Sequence, residues 1–417
     1  MSAALDYEVI IVGGGLVGAS LACALATADV RAAVIEAFPP EVDAQPSFDE
    51  RQIALAPATR RIFEALGLWP AIAVEATPIR EIHVSEQGGF GITRMSAVEE
   101  GLDALGHILP SRRIGATLFE RLRARPEITL YCPAKAQDVT VDATAATVRI
   151  ESEQGMRSLR APLLAVCDGA RSSIRERLGI RLRERSYQQV AVIANVTPER
   201  NPEGRAYERF LAGGPLGVLP AAGGGCAVIW TVPAAAAEAV LKLDESEFLA
   251  RLQAAFGYRL GRFLAAGKRS AYPLAVLVAE RCAAQRALVI GNAAHTLHPV
   301  AGQGFNLALR DVAVLAELVT DTLEAGGDPG EPRLLERYQR LRRVDYQRTL
   351  AFTDGIVRLF SNRLPGLTLA RNLGLLLLDL FPGSRQVLMR QAMGRSGWLP
   401  RLARGLPLNR TGRRTRG

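Results

Sequence analysis

The sequence predicts an α/β protein: an open parallel sheet, an inserted antiparallel sheet, and helices toward the C-terminal end. Three observations predict it. Apolar runs at residues 7–12, 163–167 and 287–290 each stop at a glycine-containing polar turn, and a helical pattern follows each turn. In an open parallel sheet, ligands sit outside the carboxyl ends of the strands, so three such ends suit one shared ligand.

The first end is the most specific. Residues 7–12 are almost wholly apolar and run directly into Gly13-x-Gly15-x-x-Gly18 and a small-residue helical stretch. A second strand at 30–35 ends in Glu36. The spacing of about 20 residues between glycines and acid is that of a dinucleotide-binding βαβ unit. Gly13 permits the tight turn, Gly15 lets a pyrophosphate approach, Gly18 lets helix and strand pack closely, and Glu36 accepts a ribose hydroxyl. A lone glycine triplet can be a simple turn; here strand, helix, second strand and acid all fall in register.

At the second end, residues 163–167 lead into Asp168-Gly169-Ala170-Arg171-Ser172-Ser173-Ile174-Arg175. Taken alone, the aspartate reads as the N-cap of a short helix; beside a similar first end, it also reads as a ligand group. At the third end, Gly291-Asn292-Ala-Ala-His295-Thr-Leu-His298-Pro299-Val-Ala-Gly302-Gln303-Gly304-Phe-Asn306 precedes a helix with Phe305, Ala308, Leu309, Val312, Ala316 and Val319 on one face. Such a turn aims backbone N–H groups past the strand end.

A chain of 417 residues exceeds what one core usually supports, so two domains are expected, and the 48% hydrophobic content suffices to build them. The start of the chain reads as no cleavable signal peptide. No apolar stretch is long enough to span a bilayer; the best, 373–381, is broken by Asp379. Five scattered cysteines lack metal spacing and fit small core residues in a reducing compartment. After Asp379 come nine arginines (Arg385, Arg390, Arg395, Arg401, Arg404, Arg410, Arg413, Arg414 and Arg416) and no acid, so the net charge of +9 resides in this tail. The apolar stretch 364–381 followed by arginines fits contact with an anionic membrane surface, or a packed helix with a solvated basic tail. Nucleic acid is a poor partner, because the tail has one aromatic, Trp398, and no reader motif.

Short strand-like runs at 186–196, 204–211, 216–219, 226–232 and 270–278, with a helix at 244–256, give the middle of the chain an antiparallel texture. A strand-rich stretch at 79–95 joins it. The expected division is 1–78, 104–185 and 271–345 for the nucleotide-binding part, 79–103 and 186–270 for the inserted sheet, and 346–417 for the C-terminal helices and tail. A single glycine fingerprint means one firmly held dinucleotide and a transiently bound reductant.

The glycine fingerprint, the Asp168-Gly169 motif and the segment from Gly291 to Asn306 together resemble the FAD-dependent aromatic hydroxylases. Within that family, Phe48-Asp-Glu-Arg51-Gln-Ile-Ala-Leu, Gly204-Arg-Ala-Tyr207-Glu-Arg209-Phe210, Gly214-Pro-Leu-Gly-Val-Leu-Pro220, Gly267-Lys-Arg-Ser-Ala-Tyr272-Pro273-Leu and Thr296-Leu-His298-Pro299 resemble the branch acting in ubiquinone synthesis, the 2-polyprenyl-6-methoxyphenol hydroxylases in particular. The resemblance runs from the N-terminus to the helices near Phe360. It implies a Rossmann-like FAD-binding domain of the para-hydroxybenzoate hydroxylase type. It further implies an enzyme in which NAD(P)H reduces FAD, oxygen adds as a flavin hydroperoxide, and its distal oxygen attacks a polyprenylated phenol. A cytoplasmic protein peripheral to the inner membrane, in a ubiquinone-biosynthesis complex, is expected.

The resemblance also implies residue roles. Most family members carry Gly-Asp where this chain has Gly291-Asn292; asparagine keeps an acceptor for a ribityl hydroxyl without the charge. Gly302, Gln303, Gly304 and Asn306 set a helix N-terminus against the flavin ring, where its positive end stabilises the reduced anion. Arg51 and Arg113 join the cofactor-binding set with Gly13, Gly15, Gly18, Glu36, Asp168 and Gly169. His298, Pro299 and Gln303 face the flavin, and Tyr207, Arg209, Phe210 and Trp230 roof the substrate cavity, with sheet packing as the alternative for those four. Tyr272 and Pro273 are expected in the same cavity. His295 and His298 have no third ligand nearby, so no metal is expected. Three readings remain open: this hydroxylase; a sister ring hydroxylase or an isoprenoid flavin reductase; and a membrane scaffold that retains FAD without turnover.

Overall fold

The computed structural model describes residues 5–39, 51–361, 365–381, 383, 386, 389, 393–394 and 397–409. Val9–Val12, Ala32–Ile35, Leu163–Val166 and Ala287–Val289 are buried at every position. Apolar residues without alternation are what a parallel sheet covered on both faces requires. The strand order is Ala283–Ala284, Ala287–Val289, Leu163–Val166, Val9–Val12, Ala32–Ile35, Ile128–Tyr131, parallel except at the first pair. The chain leaves Val9–Val12 first to one side and later to the other, so the carboxyl end of this strand is the switch point where an open α/β sheet forms its ligand crevice.

Strand parity divides the core. Val9 and Ile11 pack with helices Leu16–Ala26, Ser111–Arg123 and Gln303–Glu324. Ile10 and Val12 face a three-stranded antiparallel sheet, Ala134–Val141, Ala146–Ser152 and Gly155–Ala161, through Val148, Ile150 and Leu159.

Among the described residues the second large sheet has nine strands. Its main path runs His295–Thr296, Ser270–Ala279, Leu182–Pro198, Cys226–Pro233, Gly214–Pro220, Arg205–Leu211, Glu81–Glu86, Ile92–Ser96, and Phe263–Ala266 pairs beside Leu182–Pro198. It is antiparallel at every pairing but one: Arg205–Leu211 runs parallel to Glu81–Glu86, a strand supplied from far back in the chain rather than by a hairpin. The sheet also takes in residues that the sequence division assigned to the nucleotide-binding part. Leu182 to Ser186 pair with Ala275 to Ala279, because two long strands carry across both halves. Helices Ala234–Lys242 and Glu245–Phe256 cover one face, burying Phe248 and Phe256 against Tyr207, Val228 and Trp230. Asp244 caps the second helix by accepting from the Glu247 N–H at 2.8 Å.

The C-terminal helices Pro332–Ser361 and Pro365–Leu380 close the remaining side. The last is fastened across the edge strands: Asn372 accepts from the Gly91 N–H at 2.7 Å, Thr93 donates to the Leu375 carbonyl at 2.6 Å, and Asp379 accepts from the Arg94 N–H at 2.8 Å. The described part of the tail departs from a solvated arginine stretch. Arg401 is buried, its guanidinium paired with Glu317 and Asp321, and only Arg404 is exposed. Two acids on the helix Gln303–Glu324 create that site. The other seven tail arginines, and the Phe48-Asp-Glu part of the motif before Arg51, lie outside the described residues.

Phe248 is fully buried beneath the second sheet. Phe248→Ala is expected to cost about 3–5 kcal/mol, read as a lowered thermal midpoint.

Candidate active site

All three turns open on one cavity of about 1580 Å³. That exceeds the roughly 300–1,000 Å³ of a pocket for one small ligand, leaving room for a dinucleotide and a second molecule. Its lower end is made by the carboxyl ends of the parallel strands, its roof by one face of the second sheet, and one side by Gly374, Leu375 and Leu378 of the last helix.

The lower end is built for close approach of a backbone to a ligand. Gly13 has φ +97°, and a Cβ there would stand 2.6 Å from the Cys167 carbonyl. A Cβ at Gly18 would stand 1.8 Å from the Gly13 oxygen, so helix Leu16–Ala26 reaches the strand only because no side chain intervenes. Gly15 is the N-cap of that helix and lines the cavity. Glu36 is buried at the end of its strand, its two oxygens accepting from the Gly14 N–H at 2.6 Å and the Phe38 N–H at 2.8 Å.

Asp168 is not the helix cap. Ser172 is, accepting from the Arg175 N–H at 2.9 Å, which leaves Asp168 Oδ1 buried with no hydrogen-bond partner among the described residues. Burial pushes the Asp168 pKa up, against a hydrogen bond with Ser172 that pulls it down. Asp168, Gly169 and the exposed Asn292 all line the cavity. An orphaned carboxylate oxygen, an exposed amide and two glycine cradles fit the hydroxyls and pyrophosphate of FAD. Gly302 (φ +60°), Gln303 and Gly304 also line the cavity and open the helix Gln303–Glu324, whose N-terminus suits negative charge.

Other expected site residues sit differently. Asn306 lines the cavity, but its side chain makes four hydrogen bonds: it accepts from the Ala56 N–H and the Thr59 hydroxyl and donates to the Ala54 and Gly302 carbonyls. It is a staple between two elements, with its amide fully used. Arg113 does not line the cavity; its guanidinium donates twice to the Ala71 carbonyl and lies 3.9 Å from Glu75. Arg51 does line it, with its guanidinium 5.2 Å from the ring centre of Tyr272. Pro299 and Pro273 line it too. His298 does not: it lies behind the wall, edge-on to Tyr187, its Nδ1 accepting from the Val300 N–H at 3.2 Å. Burial there pushes its pKa down to about 4, so the ring is neutral at pH 7. Among the described residues no three His, Cys, Asp or Glu side chains converge as a metal site.

Of the roof residues chosen from the sequence, Tyr207 and Phe210 line the cavity, whereas Arg209 and Trp230 do not. Tyr207 stacks edge-on with His83 and Phe256, Arg209 donates to the Ala255 carbonyl, and Trp230 packs on Phe248. Side chains alternate along a strand, so the cavity face of the same strands carries Ala206, Glu208 and Phe210, and Ile229 and Thr231.

Two residues the sequence did not single out hold the turns together. Arg175 donates to the carbonyls of Ala170 at 2.9 Å and Ala293 at 3.3 Å, joining the second and third strand ends. Asp311 accepts from the Gly291 N–H at 3.1 Å, shares a 2.8 Å hydrogen bond with His295 Nε2, and accepts from Arg342 Nε at 2.6 Å and the Tyr346 hydroxyl at 2.8 Å. Burial alone would push the Asp311 pKa up; the Arg342 charge and these hydrogen bonds outweigh it and hold the carboxyl below its usual range.

A depressed folded-state pKa contributes stability that is present above the unfolded value of about 4 and lost as pH falls through the folded value. Asp311→Asn, which removes the carboxylate facing Arg342 Nε and leaves that buried guanidinium only Asp345, is expected to cost about 3–5 kcal/mol at pH 7 and to weaken the acid dependence of the thermal midpoint. An unchanged midpoint at pH 7 would refute the role given to Asp311.

The chain matches a family model described as FAD binding domain over residues 6–353. It is 38% identical to ubiquinone hydroxylase UbiL of Rhodospirillum rubrum, over 96% of this chain and 93% of that protein. It is 31% identical to 3-demethoxyubiquinol 3-hydroxylase of Escherichia coli, over 93% and 97%. Among solved structures it resembles p-nitrophenol 4-monooxygenase PnpA of Pseudomonas putida, with a TM-score of 0.77 at 22% identity over 94% of this chain and 99% of that one. Fold, cavity and relatives agree that the chain belongs to the FAD-dependent hydroxylases of ubiquinone biosynthesis.

Proposed function

We propose that the chain hydroxylates the ring of a polyprenylated methoxyphenol, with FAD held firmly, NAD(P)H bound transiently and O2 as the oxygen source. The observation that carries this reading is the cavity itself, which is polar where the parallel strands end and mostly apolar beneath the second sheet. Bound FAD supplies the redox chemistry: it accepts a hydride and passes electrons to oxygen. The protein supplies the rest. Gly13, Gly15 and Gly18 admit the pyrophosphate, while Glu36, Asp168 and Asn292 accept hydroxyl hydrogen bonds. The helix N-terminus at Gln303 stabilises negative charge on the ring system. The apolar roof, with Phe210, Ile229 and Ile193, excludes water and receives an aromatic ring. Asn292 in place of aspartate favours the methoxyphenol branch.

The last helix supports contact with a membrane surface. Leu373, Leu376, Leu377, Leu380 and Phe381 are exposed on its outer side, while Gly374, Leu375 and Leu378 line the cavity. A prenyl chain therefore has an apolar surface on both sides of one helix. Among the described residues no helix is long and apolar enough to cross a membrane. We place the protein at the cytoplasmic face of the inner membrane, on anionic lipid, in company with other ubiquinone-biosynthesis proteins.

Two measurements test these readings. The FAD-loaded protein, given NAD(P)H, O2 and a short-chain prenyl methoxyphenol, is expected to yield the ring-hydroxylated product. Turnover of only the non-methoxylated phenol would move the assignment to a sister ring hydroxylase, and flavin that NAD(P)H never reduces would favour a scaffold. Replacing Leu376, Leu377, Leu380 and Phe381 with serine should reduce sedimentation with anionic liposomes several-fold while FAD stays bound. Unchanged sedimentation would rule out this helix as the contact.

A further inference from the structure

One row of side chains crosses the roof of the cavity. Thr93, Val84, Glu208, Gly217, Ile229 and Ile193 are successive partners on six strands, and all six line the cavity. The Thr93 hydroxyl is spent on the Leu375 carbonyl. Glu208 is thus a carboxylate in the middle of an apolar row. Its neighbour Gly217 has no side chain to cover it: a Cβ there would sit 3.7 Å from Glu208 Oε2. No hydrogen bond or ion pair engages Glu208 among the described residues.

We infer that Glu208 accepts the hydrogen bond of the substrate's phenolic O–H and takes its proton, an inference that rests on the phenol reading above. The O–H bond breaks, the proton goes to a carboxylate oxygen, and the electron pair stays on the phenolate oxygen. Delocalised into the ring, that pair raises electron density at the ortho and para carbons, where an electrophilic oxygen is added. The other candidates for this task are misplaced: His298 lies behind the wall, His295 is bound to Asp311, and Arg209 is on the opposite face.

The local electrostatics agree with the geometry. Glu208 is reached from the cavity, yet protein surrounds the cavity around it, and this enclosure governs its ionisation. Burial pushes its pKa up to about 7, with no neighbouring charge contributing. The other charged groups lining the cavity are Glu36, Arg51, Lys135, Asp168, Arg171 and Arg371. Arg371 is paired with Glu86, and Arg51 lies over Tyr272. A base with a pKa near the working pH is the efficient kind, and an unpartnered acid in an apolar wall is uncommon unless a ligand completes it.

The test compares the FAD-loaded wild type with Glu208→Gln and Glu208→Asp, using a short-chain prenyl methoxyphenol and its O-methyl ether. Hydroxylation by the wild type should rise with pH to a plateau above about 7, since the deprotonated form is the active one. Glu208→Gln should lower kcat about 100-fold and lose that rising limb, with FAD retained, and Glu208→Asp should restore part of the rate. Binding, followed by flavin absorbance, should favour the phenol over the ether in the wild type and lose that preference in Glu208→Gln. A Glu208→Gln enzyme with unchanged rate, pH profile and preference overturns the inference. So does a wild type that binds phenol and ether equally, a result that needs no variant to fold. If the wild type prefers the phenol through Glu208 but forms no product, the contact stands and the hydroxylase reading fails instead.

Discussion

A carboxylate with no access to solvent, Asp311, fixes the geometry on which the cofactor end depends. Its four hydrogen bonds tie the Gly291 N–H and His295 of the third strand end to Arg342 and Tyr346 of the helix Pro332–Ser361. Burying a charge carries a large desolvation cost that only close, well-directed partners offset. Asp311 has them on both oxygens, and Asp345 extends the cluster to Arg310 and Arg342. What the arrangement secures is position: an apolar contact would tolerate a shift of the turn, whereas a half-broken buried ion pair would not. Arg175 does the same work between the second and third turns.

The two ends of the cavity are made from different materials. The lower end is mostly main chain: glycines at Gly13, Gly18 and Gly302 let backbone groups come close, and a helix N-terminus faces inward. The roof is made of side chains whose identity depends on strand parity. A change in a lower-end glycine acts through steric exclusion. A change in the roof acts through shape and polarity, and its effect depends on which face it occupies.

This contrast explains how much was legible in the sequence. The three strand ends and their helices were readable because glycine turns, apolar runs and helical periodicity are local signals. The parallel strands and the helix Gln303–Glu324 lie within a few residues of where those signals put them. Parity was not readable in the same way. Tyr207 and Phe210 do line the cavity, but Arg209 and Trp230 drew attention by size and chemistry while their strand neighbours Glu208 and Ile229 face it. Gly217, a glycine opposite Glu208 within a strand, was the available clue, since a bare position in a strand marks a close approach. Asp311 was invisible because its partners are distant in sequence, and so was the link that Arg175, itself inside a quoted motif, makes to Ala293. Arg113 and Arg401 misled because a charge cannot announce its partner: the Ala71 carbonyl takes one, Glu317 and Asp321 the other.

The helix Pro365–Leu380 is a wall one helix thick, with cavity on one side and exposed leucines on the other. On the membrane contact proposed above, such a wall would make the reaction two-dimensional for any substrate that arrives dissolved in lipid. Its rate then follows the mole fraction of substrate in the bilayer rather than its amount per volume of water, and diluting the membrane with inert lipid slows turnover while total concentration stays the same.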